Sequence, residues 1–187
     1  VRLADGSVVS SSLVVVGIGV QPDVAWLDGS GLTVDDGVVC DDRLLAAPGI
    51  VAAGDVARWP SARAGALTRI EHWEHAIASG EAAARRLLVD LVGADDPGPF
   101  DPVPWFWSDQ YDRKLQLVGT AGADHDLEVV DGSLAGPADQ PRFAALYGLA
   151  GRVTGVLAMN HPARLVRLRQ LVVDGADFAS AVEEARR

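Results

Sequence analysis

A short apolar run, a Gly-Asp pair and a long helical pattern constrain the fold of this chain more than any other stretch. The run covers residues 50–53, Gly54 and Asp55 follow it, and the helical pattern occupies residues 65–92. We expect a buried strand and then one long helix whose leading end carries Arg-Ile-Glu-His-Trp at 69–73. A strand that runs into a helix N-terminus is where α/β sheets bind anionic or polar cofactors, because the helix offers unpaired N–H groups and a positive dipole end. This unit therefore predicts half of a cofactor site.

A second apolar run, from Leu13 to Val16, is continuous and β-branched and ends in Gly17, Ile18 and Gly19. Such a run is typical of a strand buried on both faces of a parallel sheet. Glycines at its carboxyl end would let a ligand approach the backbone there, although three residues of this kind also make a plain turn. The dinucleotide fingerprint is absent, because no Gly-x-Gly-x-x-Gly occurs in the sequence.

Turn signals divide the chain into an α/β first part and an α+β second part. Asp-Gly pairs at 5–6 and 36–37 predict two hairpins. Four prolines make residues 93–104 a linker by composition. Beyond the linker, strand-like runs come first and helical patterns last, which is typical of an α+β domain. The runs are residues 115–119, 127–130, 143–149 and 152–159, and the helical patterns are residues 163–173 and 178–186.

Charge and composition narrow the classes of function. The chain has 26 acidic and 16 basic residues, for a formal net charge of −10 at pH 7. Nucleic-acid-binding proteins carry the opposite sign, so no nucleic-acid partner is expected. No apolar run approaches the roughly 18 residues that span a bilayer, and no leader opens the sequence, so we expect a cytoplasmic protein that does not contact membranes. The single cysteine, Cys40, excludes an internal disulfide and is expected to be buried.

Three features carry the candidate chemistry. Asp55 follows an apolar strand and needs hydrogen-bond donors, which either a helix turn that it caps or the hydroxyls of a polyol could supply. The string Trp-Phe-Trp-Ser-Asp-Gln-Tyr at 105–111 either caps the core of the second part or forms a planar wall against a cofactor or partner. His72 and His75 are three residues apart, and a solvated or cofactor-flanking pair is favoured over a metal site because no further ligand set accompanies them.

These strings together resemble one family, the FAD-dependent NAD(P)H:ferredoxin reductases of the putidaredoxin and rhodocoxin reductase type. The resemblance rests on Ala-Ala-Gly-Asp-Val-Ala at 52–57, Arg-Ile-Glu-His-Trp at 69–73 and the aromatic string at 105–111. Asn-His-Pro at 160–162 fits the same family. The aromatic string is the most specific of these, whereas Gly-Asp alone is typical of flavoprotein disulfide-reductase-like folds in general.

The resemblance implies a three-domain enzyme of which this chain is the carboxyl-terminal part. Residues 1–20 would end the NAD-binding domain, residues 21–98 would be the returning half of a Rossmann-like FAD domain, and residues 104–187 would be the C-terminal α+β domain. Electrons would pass from NAD(P)H through FAD to a 2Fe-2S iron–sulfur ferredoxin that serves an oxygenase or P450. Because the pyrophosphate site belongs to the missing N-terminal half, this chain is not expected to hold FAD alone.

The family's site residues carry over by position. Asp55 would bind the ribityl or phosphate-side hydroxyls of FAD, the backbone of Trp73 would contact the pyrimidine edge of the flavin, and Trp107 would lie near the exposed flavin edge where ferredoxin docks. The glycine-bounded turn at 17–19 would border the nicotinamide nucleotide. No protein side chain is expected to be a catalyst or a metal ligand, because the cofactor does the chemistry. The expected cofactor-binding residues are Gly17, Ile18, Gly19, Gly54, Asp55, Val56, Glu71, Trp73 and Trp107.

Two alternatives stay open from the sequence. One is a free-standing protein-binding module without catalysis, in which the aromatic string and Arg164, Arg167 and Arg169 grip an acidic protein. The other is a related flavin reductase that serves rubredoxin or nitrite reduction. The first residue is Val1 and a hairpin signal follows at once, so we expect the chain to be truncated.

Overall fold

A computed structural model describes residues 1–133 and 142–187 as a mixed α/β protein. Two short 3-10 helices cover Ala25–Leu27 and Gly54–Val56. The predicted combination of an α/β part and an α+β part is confirmed. The strands and helices are β1 Val38–Val39, β2 Leu45–Ala47, β3 Ile50–Val51, β4 Ala57–Ser61, β5 Ala66–Thr68, α1 Trp73–Val92, β6 Trp105–Gln110, β7 Arg113–Gly119, β8 Asp126–Gly132, β9 Phe143–Leu149, β10 Arg152–Met159, α2 Pro162–Val173 and α3 Phe178–Ala185.

The first part places a three-stranded sheet beneath α1. Strand β1 runs parallel to β4, and β4 pairs antiparallel with β5, while β2 and β3 form a separate ribbon. The side chains of β4 alternate, so that Trp59 is 1% exposed between two outward-facing neighbours. The buried core of this part consists of Leu27, Val38, Cys40, Leu44, Ala52, Ala57, Trp59 and Ala83. Cys40 is therefore buried, as predicted.

The second part is a five-stranded antiparallel sheet in the order β6-β7-β10-β9-β8. Positive φ angles at Ala150 and Gly151 make the tight turn between β9 and β10. Pro162 occupies the first turn of α2, and the Asp177 carboxylate caps α3 by accepting from the Ser180 N–H at 3.0 Å. Both helices pack on the sheet around Leu146, Val156, Leu165, Val172 and Ala181. All four predicted strands and both predicted helices are confirmed.

The apolar run at 13–16 is not a buried strand, so that prediction is wrong. Leu13 to Val16 are between 54% and 86% exposed and lie in an irregular segment. A β-branched run becomes a strand only where neighbouring strands satisfy its N–H and C=O groups. No described residue of this chain pairs with the run, and Gly17, Ile18 and Gly19 continue the same exposed segment.

The predicted start of the long helix is also wrong, whereas its end is correct. Helix α1 begins at Trp73, because residues 66–68 pair with β4 as strand β5 after a turn at Gly65 with φ +66°. Gly93 ends the helix with φ 68° and donates to the carbonyls of Leu88 and Val89. The expected buried strand before Gly54 is only β3, two residues long and half exposed.

The domain boundaries after residue 20 and around residues 98–104 stay a prediction. The buried apolar residues form two clusters, one within residues 27–83 and the other within residues 118–185. In residues 1–133 and 142–187, none of the helices has the length and apolar character needed to cross a membrane.

Gly119 provides a test of how tightly the second sheet packs. A Cβ at Gly119 would overlap the Thr154 carbonyl oxygen and lie 2.7 Å from Cγ1 of Val172, at φ +82°. Gly151 has a similar φ of +75° but nothing within 4 Å. We expect Gly151→Ala to lower the free energy of unfolding by about 1–2 kcal/mol from backbone strain alone. Gly119→Ala should cost about 1–3 kcal/mol more from overpacking. Urea unfolding of both variants checks this, and equal losses would contradict the packing described.

Candidate functional site

The start of helix α1 has no side-chain cap. His72 occupies the N-cap position with an extended backbone, and its side chain accepts no hydrogen bond from the first turn. The first N–H groups of a helix have no intrahelical acceptor, and they carry the positive end of the helix dipole. This end of α1 is therefore suited to a polar or anionic group of a ligand.

An aromatic cavity of about 250 Å³ lies beside the start of α1. The ring of His72 packs 5.3 Å from the ring of Phe106, which joins the helix start to strand β6. Nδ1 of His72 and Nε1 of Trp105 are buried, and neither has a hydrogen-bond partner among the described residues. Aromatic walls beside an uncapped helix start suit a planar heteroaromatic ligand. The cavity is lined by Glu71, His72, Trp73, Trp105, Phe106 and Trp107.

The Gly-Asp pair forms a 3-10 turn that docks on α1. Gly54 has φ +70°, which favours glycine, and its N–H donates to Oγ of Ser79 at 2.8 Å. A Cβ at Gly54 would lie 3.8 Å from Cβ of Ala76, so the turn rests on the first two turns of the helix. The carboxylate of Asp55 is exposed and makes no hydrogen bond within residues 1–133 and 142–187. Asp55 therefore caps no helix, and of the two expected roles only hydroxyl binding stays open.

The two histidines of the helix start have different environments. His75 is 4% exposed and stacks on Trp59, with the ring centroids 4.8 Å apart and an angle of 11° between the planes. Phe100 packs on the same ring at 5.6 Å. His75 is thus a core residue and is not solvated, while His72 lines the cavity. No three His, Cys, Asp or Glu side chains among the described residues are grouped to hold a metal ion.

Burial keeps both histidines neutral near pH 7. The pKa of His75 is lowered to about 4, mainly by burial and also by the neighbouring His72, while the negative charge of Asp55 opposes the change. Burial also lowers the pKa of His72, against the opposing charges of Asp55 and Glu71. Neither ring nitrogen of His75 has a partner within the described part of the chain, so a proton there would be costly.

The structure brings three of the nine expected cofactor-binding residues to one cavity, namely Glu71, Trp73 and Trp107. The turn at 54–56 does not line the cavity but docks on α1, the helix that Trp73 begins. Residues 17–19 do not line this cavity and lie in the exposed N-terminal segment.

The cavity also contains three residues outside the nine expected cofactor-binding residues. His72 belongs to the pair expected to be solvated or cofactor-flanking, and Trp105 and Phe106 belong to the string expected to cap a core or to form a planar wall. The signal for the last two is that residues 105–110 form an edge strand, which a period-2 reading of the string could have found.

Comparison with known proteins decides the family. Residues 1–80 match a family model described as pyridine nucleotide-disulphide oxidoreductase, and residues 105–184 match one described as reductase C-terminal. The 5,5'-dehydrodivanillate O-demethylase ferredoxin reductase subunit of Sphingobium sp. is 38% identical over 94% of this chain and 40% of its own length. Rhodocoxin reductase of Rhodococcus erythropolis is 37% identical over 89% of this chain and 37% of its own length. The chain belongs to the reductase family of which these two relatives are members.

A solved structure of the same family supports the fold. In the covalent putidaredoxin reductase–putidaredoxin complex, the matched chain is 32% identical with a TM-score of 0.75. The match covers 97% of this chain and 43% of that one. The chain thus spans about 40% of the length of the curated relatives named above. The aromatic cavity joins the two family matches, because Glu71 and Trp73 belong to the first and Trp107 to the second.

The buried His75 predicts acid sensitivity. Unfolded His75 takes up a proton near its ordinary pKa of 6.5, whereas the folded ring stays neutral down to about pH 4. The free energy of unfolding should therefore fall as the pH drops from about 6.5 to about 4, by up to roughly 3 kcal/mol from this group. We expect His75→Leu to flatten this part of the profile, measured by urea unfolding between pH 4 and pH 8.

The control for this prediction is the interval between pH 7 and pH 8, where His75 is neutral in both the folded and unfolded states. The wild-type chain and His75→Leu should have parallel profiles there. An equal loss of stability in both proteins between pH 6.5 and pH 4 would contradict the assignment, and would attribute the acid sensitivity to carboxylates instead.

Proposed function

We propose that this chain forms part of a flavoprotein that passes electrons from NAD(P)H through FAD to a 2Fe-2S ferredoxin serving an oxygenase or P450. The aromatic cavity beside the uncapped start of α1 carries this proposal. Two similar proteins, a curated relative and a solved structure, support the proposal by what their names say they do. One relative is a ferredoxin reductase subunit of a demethylase, and one solved structure is a reductase joined to putidaredoxin.

The residues of the cavity fit the flavin ring of FAD. Its walls are aromatic, and the first N–H groups of α1 have no side-chain acceptor, which a ring with hydrogen-bonding edges could provide. When bound, FAD accepts a hydride and releases its electrons singly. Glu71 and Trp73 would hold the ring at the start of α1, with the Trp73 backbone at its pyrimidine edge. The apolar walls would keep water from the ring.

The turn at 54–56 would hold the ribityl and phosphate part of FAD, which leads away from the flavin ring. Gly54 gives the backbone its left-handed conformation, and Val56 completes the turn. The exposed carboxylate of Asp55 is an acceptor without a partner among the described residues, which suits ribityl or phosphate-side hydroxyls. Residues 17–19 would border the nicotinamide nucleotide in the same enzyme.

The outer edge of the cavity suits a protein electron acceptor. Phe106 is 41% exposed and Trp107 is 38% exposed, so the wall that they form faces both the cavity and the solvent. Aromatic side chains of this kind give large, rigid contact area at protein interfaces. We propose that the ferredoxin docks here, close to the flavin edge, in a cytoplasmic enzyme.

The alternative of a binding module without catalysis loses part of its support. Nε of Arg164 lies 3.3 Å from the carboxylate of Asp131, and Nε2 of His161 lies 3.2 Å from the same carboxylate. Arg164 is thus held against the sheet. Arg167 and Arg169 alone of the three expected arginines are exposed. A related flavin reductase that serves rubredoxin or nitrite reduction is a second candidate, and the Trp-Phe-Trp-Ser string at 105–108 is the sequence feature that separates it from the ferredoxin reductases.

The proposed function can be tested with the purified polypeptide that the complete reading frame containing this sequence encodes. We expect the purified protein to show flavin absorbance, to bleach with NADH or NADPH under argon, and to reduce a 2Fe-2S ferredoxin faster than a rubredoxin. Comparison of the two nucleotides identifies the donor. Absence of flavin after incubation with FAD would overturn the proposal, and faster reduction of rubredoxin would favour the second candidate.

Asp55 gives a residue-level test in the same polypeptide. We expect Asp55→Ala to weaken FAD binding by about tenfold or more, because a charge-assisted hydrogen bond contributes roughly 1.5–3 kcal/mol. Fluorescence titration of the apoprotein with FAD measures this. The matched control is Asp95→Ala, which removes an exposed carboxylate in the linker. If both variants bind FAD like the wild type, Asp55 has no part in the site.

A further inference from the structure

Arg69 joins three segments just before helix α1. Its Nε and Nη2 each lie 3.3 Å from an oxygen of the Asp36 carboxylate, in the two-pronged arrangement that arginine favours. Its Nη1 donates to the carbonyl oxygen of Asp55 at 3.0 Å and to Oε1 of Glu71 at 2.6 Å. The side chain is only 13% exposed. One guanidinium therefore joins the turn at 35–37, the 3-10 turn and Glu71, which lines the cavity.

Two of these segments meet at backbone contact, and the side chain of Arg69 packs against them. Gly37 is buried with φ +124°, and a Cβ there would lie 2.6 Å from the Val56 carbonyl oxygen and 3.0 Å from Cδ of Arg69. The aliphatic part of Arg69 therefore packs against the glycine while its guanidinium reaches past it. The 3-10 turn is held from two sides, by Ser79 of α1 and by Arg69.

Arg69 also sets the charge at the edge of the cavity. Glu71 lines the cavity, and its carboxylate is paired with Arg69 rather than free. The hydrogen bond to Glu71, followed by the contacts with Asp36, raises the pKa of the Arg69 guanidinium. Without this partner, Glu71 would place an uncompensated negative charge beside a ligand in the cavity. It would also lose the contact that fixes its side chain.

We propose that Arg69 is a positioning residue of the flavin site, holding the Asp55 turn and the Glu71 carboxylate where the cofactor meets them. This inference rests on the proposed function, because it concerns the same cavity. Arg69 acts through Asp55 and Glu71 and need not touch the cofactor. Because Lys has one ammonium in place of the planar fork, it cannot serve three acceptors in these directions, although it keeps the positive charge.

Arg58 provides a matched control for Arg69, because it pairs with Asp35, the residue next to Asp36 in the same turn. Its Nη1 lies 2.6 Å from the Asp35 carboxylate and donates to the Asp35 carbonyl at 2.7 Å. Its side chain is 22% exposed, comparable to that of Arg69. None of the hydrogen bonds or ion pairs recorded for the described residues joins it to the 3-10 turn or to Glu71. Arg58→Gln thus breaks an arginine–aspartate pair of the same turn and leaves the cavity side alone.

The test compares Arg69→Gln, Arg69→Lys and Arg58→Gln in the complete polypeptide. Three quantities are measured: the FAD dissociation constant, the midpoint potential of the bound flavin, and the stability of the apoprotein to urea. We expect both Arg69 variants to weaken FAD binding about tenfold or more, and Arg58→Gln to leave it unchanged. Arg69→Gln should also lower the midpoint potential, because it exposes the flavin to the Glu71 charge, whereas Arg69→Lys should leave the potential closer to that of the wild type.

The possible failures are distinguishable. If the wild-type protein binds no FAD, the proposed function falls, and this inference falls with it. If the wild type binds FAD and Arg69→Lys binds it equally tightly, the positioning role of Arg69 is overturned. The same conclusion follows if Arg58→Gln weakens FAD binding as much as the Arg69 variants, because Arg69 would then act only through general stability. Arg69→Lys keeps the test decisive if Arg69→Gln does not fold.

Discussion

The flat stack of His75 on Trp59 is the contact on which the site depends. It joins the first turn of α1 to strand β4, and Phe100 closes the stack from the segment that follows the helix. Once this turn is fixed, Ser79 is placed to accept from Gly54, and His72 is placed against Phe106. The stack places the helix start against the first sheet, and the contact of His72 with Phe106 places it against strand β6.

That placement explains how one cavity comes from two distant stretches. The first sheet sets where α1 begins, the linker returns the chain, and β6 delivers three aromatic residues to the helix start. Each stretch alone has a separate hydrophobic cluster. Two buried polar atoms without a partner among the described residues, Nδ1 of His72 and Nε1 of Trp105, lie where the two stretches meet, and others lie on Trp59 and His75 in the first core. In folded proteins such atoms are uncommon.

The sequence predicted the second sheet well because its strands find their partners within the chain. Their strand-like runs and the turn at 150–151 are local signals. The run at 13–16 was misread because burial of a strand depends on neighbours that no local pattern reveals. The start of α1 was misplaced because residues 66–68 take β4 as a partner in place of helical bonds. In the site, the recognised strings supplied Glu71, Trp73 and Trp107. The roles of Arg69 and His75 come from contacts between segments and were invisible in the strings themselves.

Strand β6 lies at one edge of the five-stranded sheet, with β7 as its single hydrogen-bonded neighbour. Along its outer side, none of the described strands pairs with β6, so the backbone N–H and C=O groups that face that way are open to another partner. The aromatic wall is therefore held in the sheet through β7 alone, in the register that pairs Trp105 with Val118 and Trp107 with Gln116. The placement of the wall beside the helix start follows from that one register.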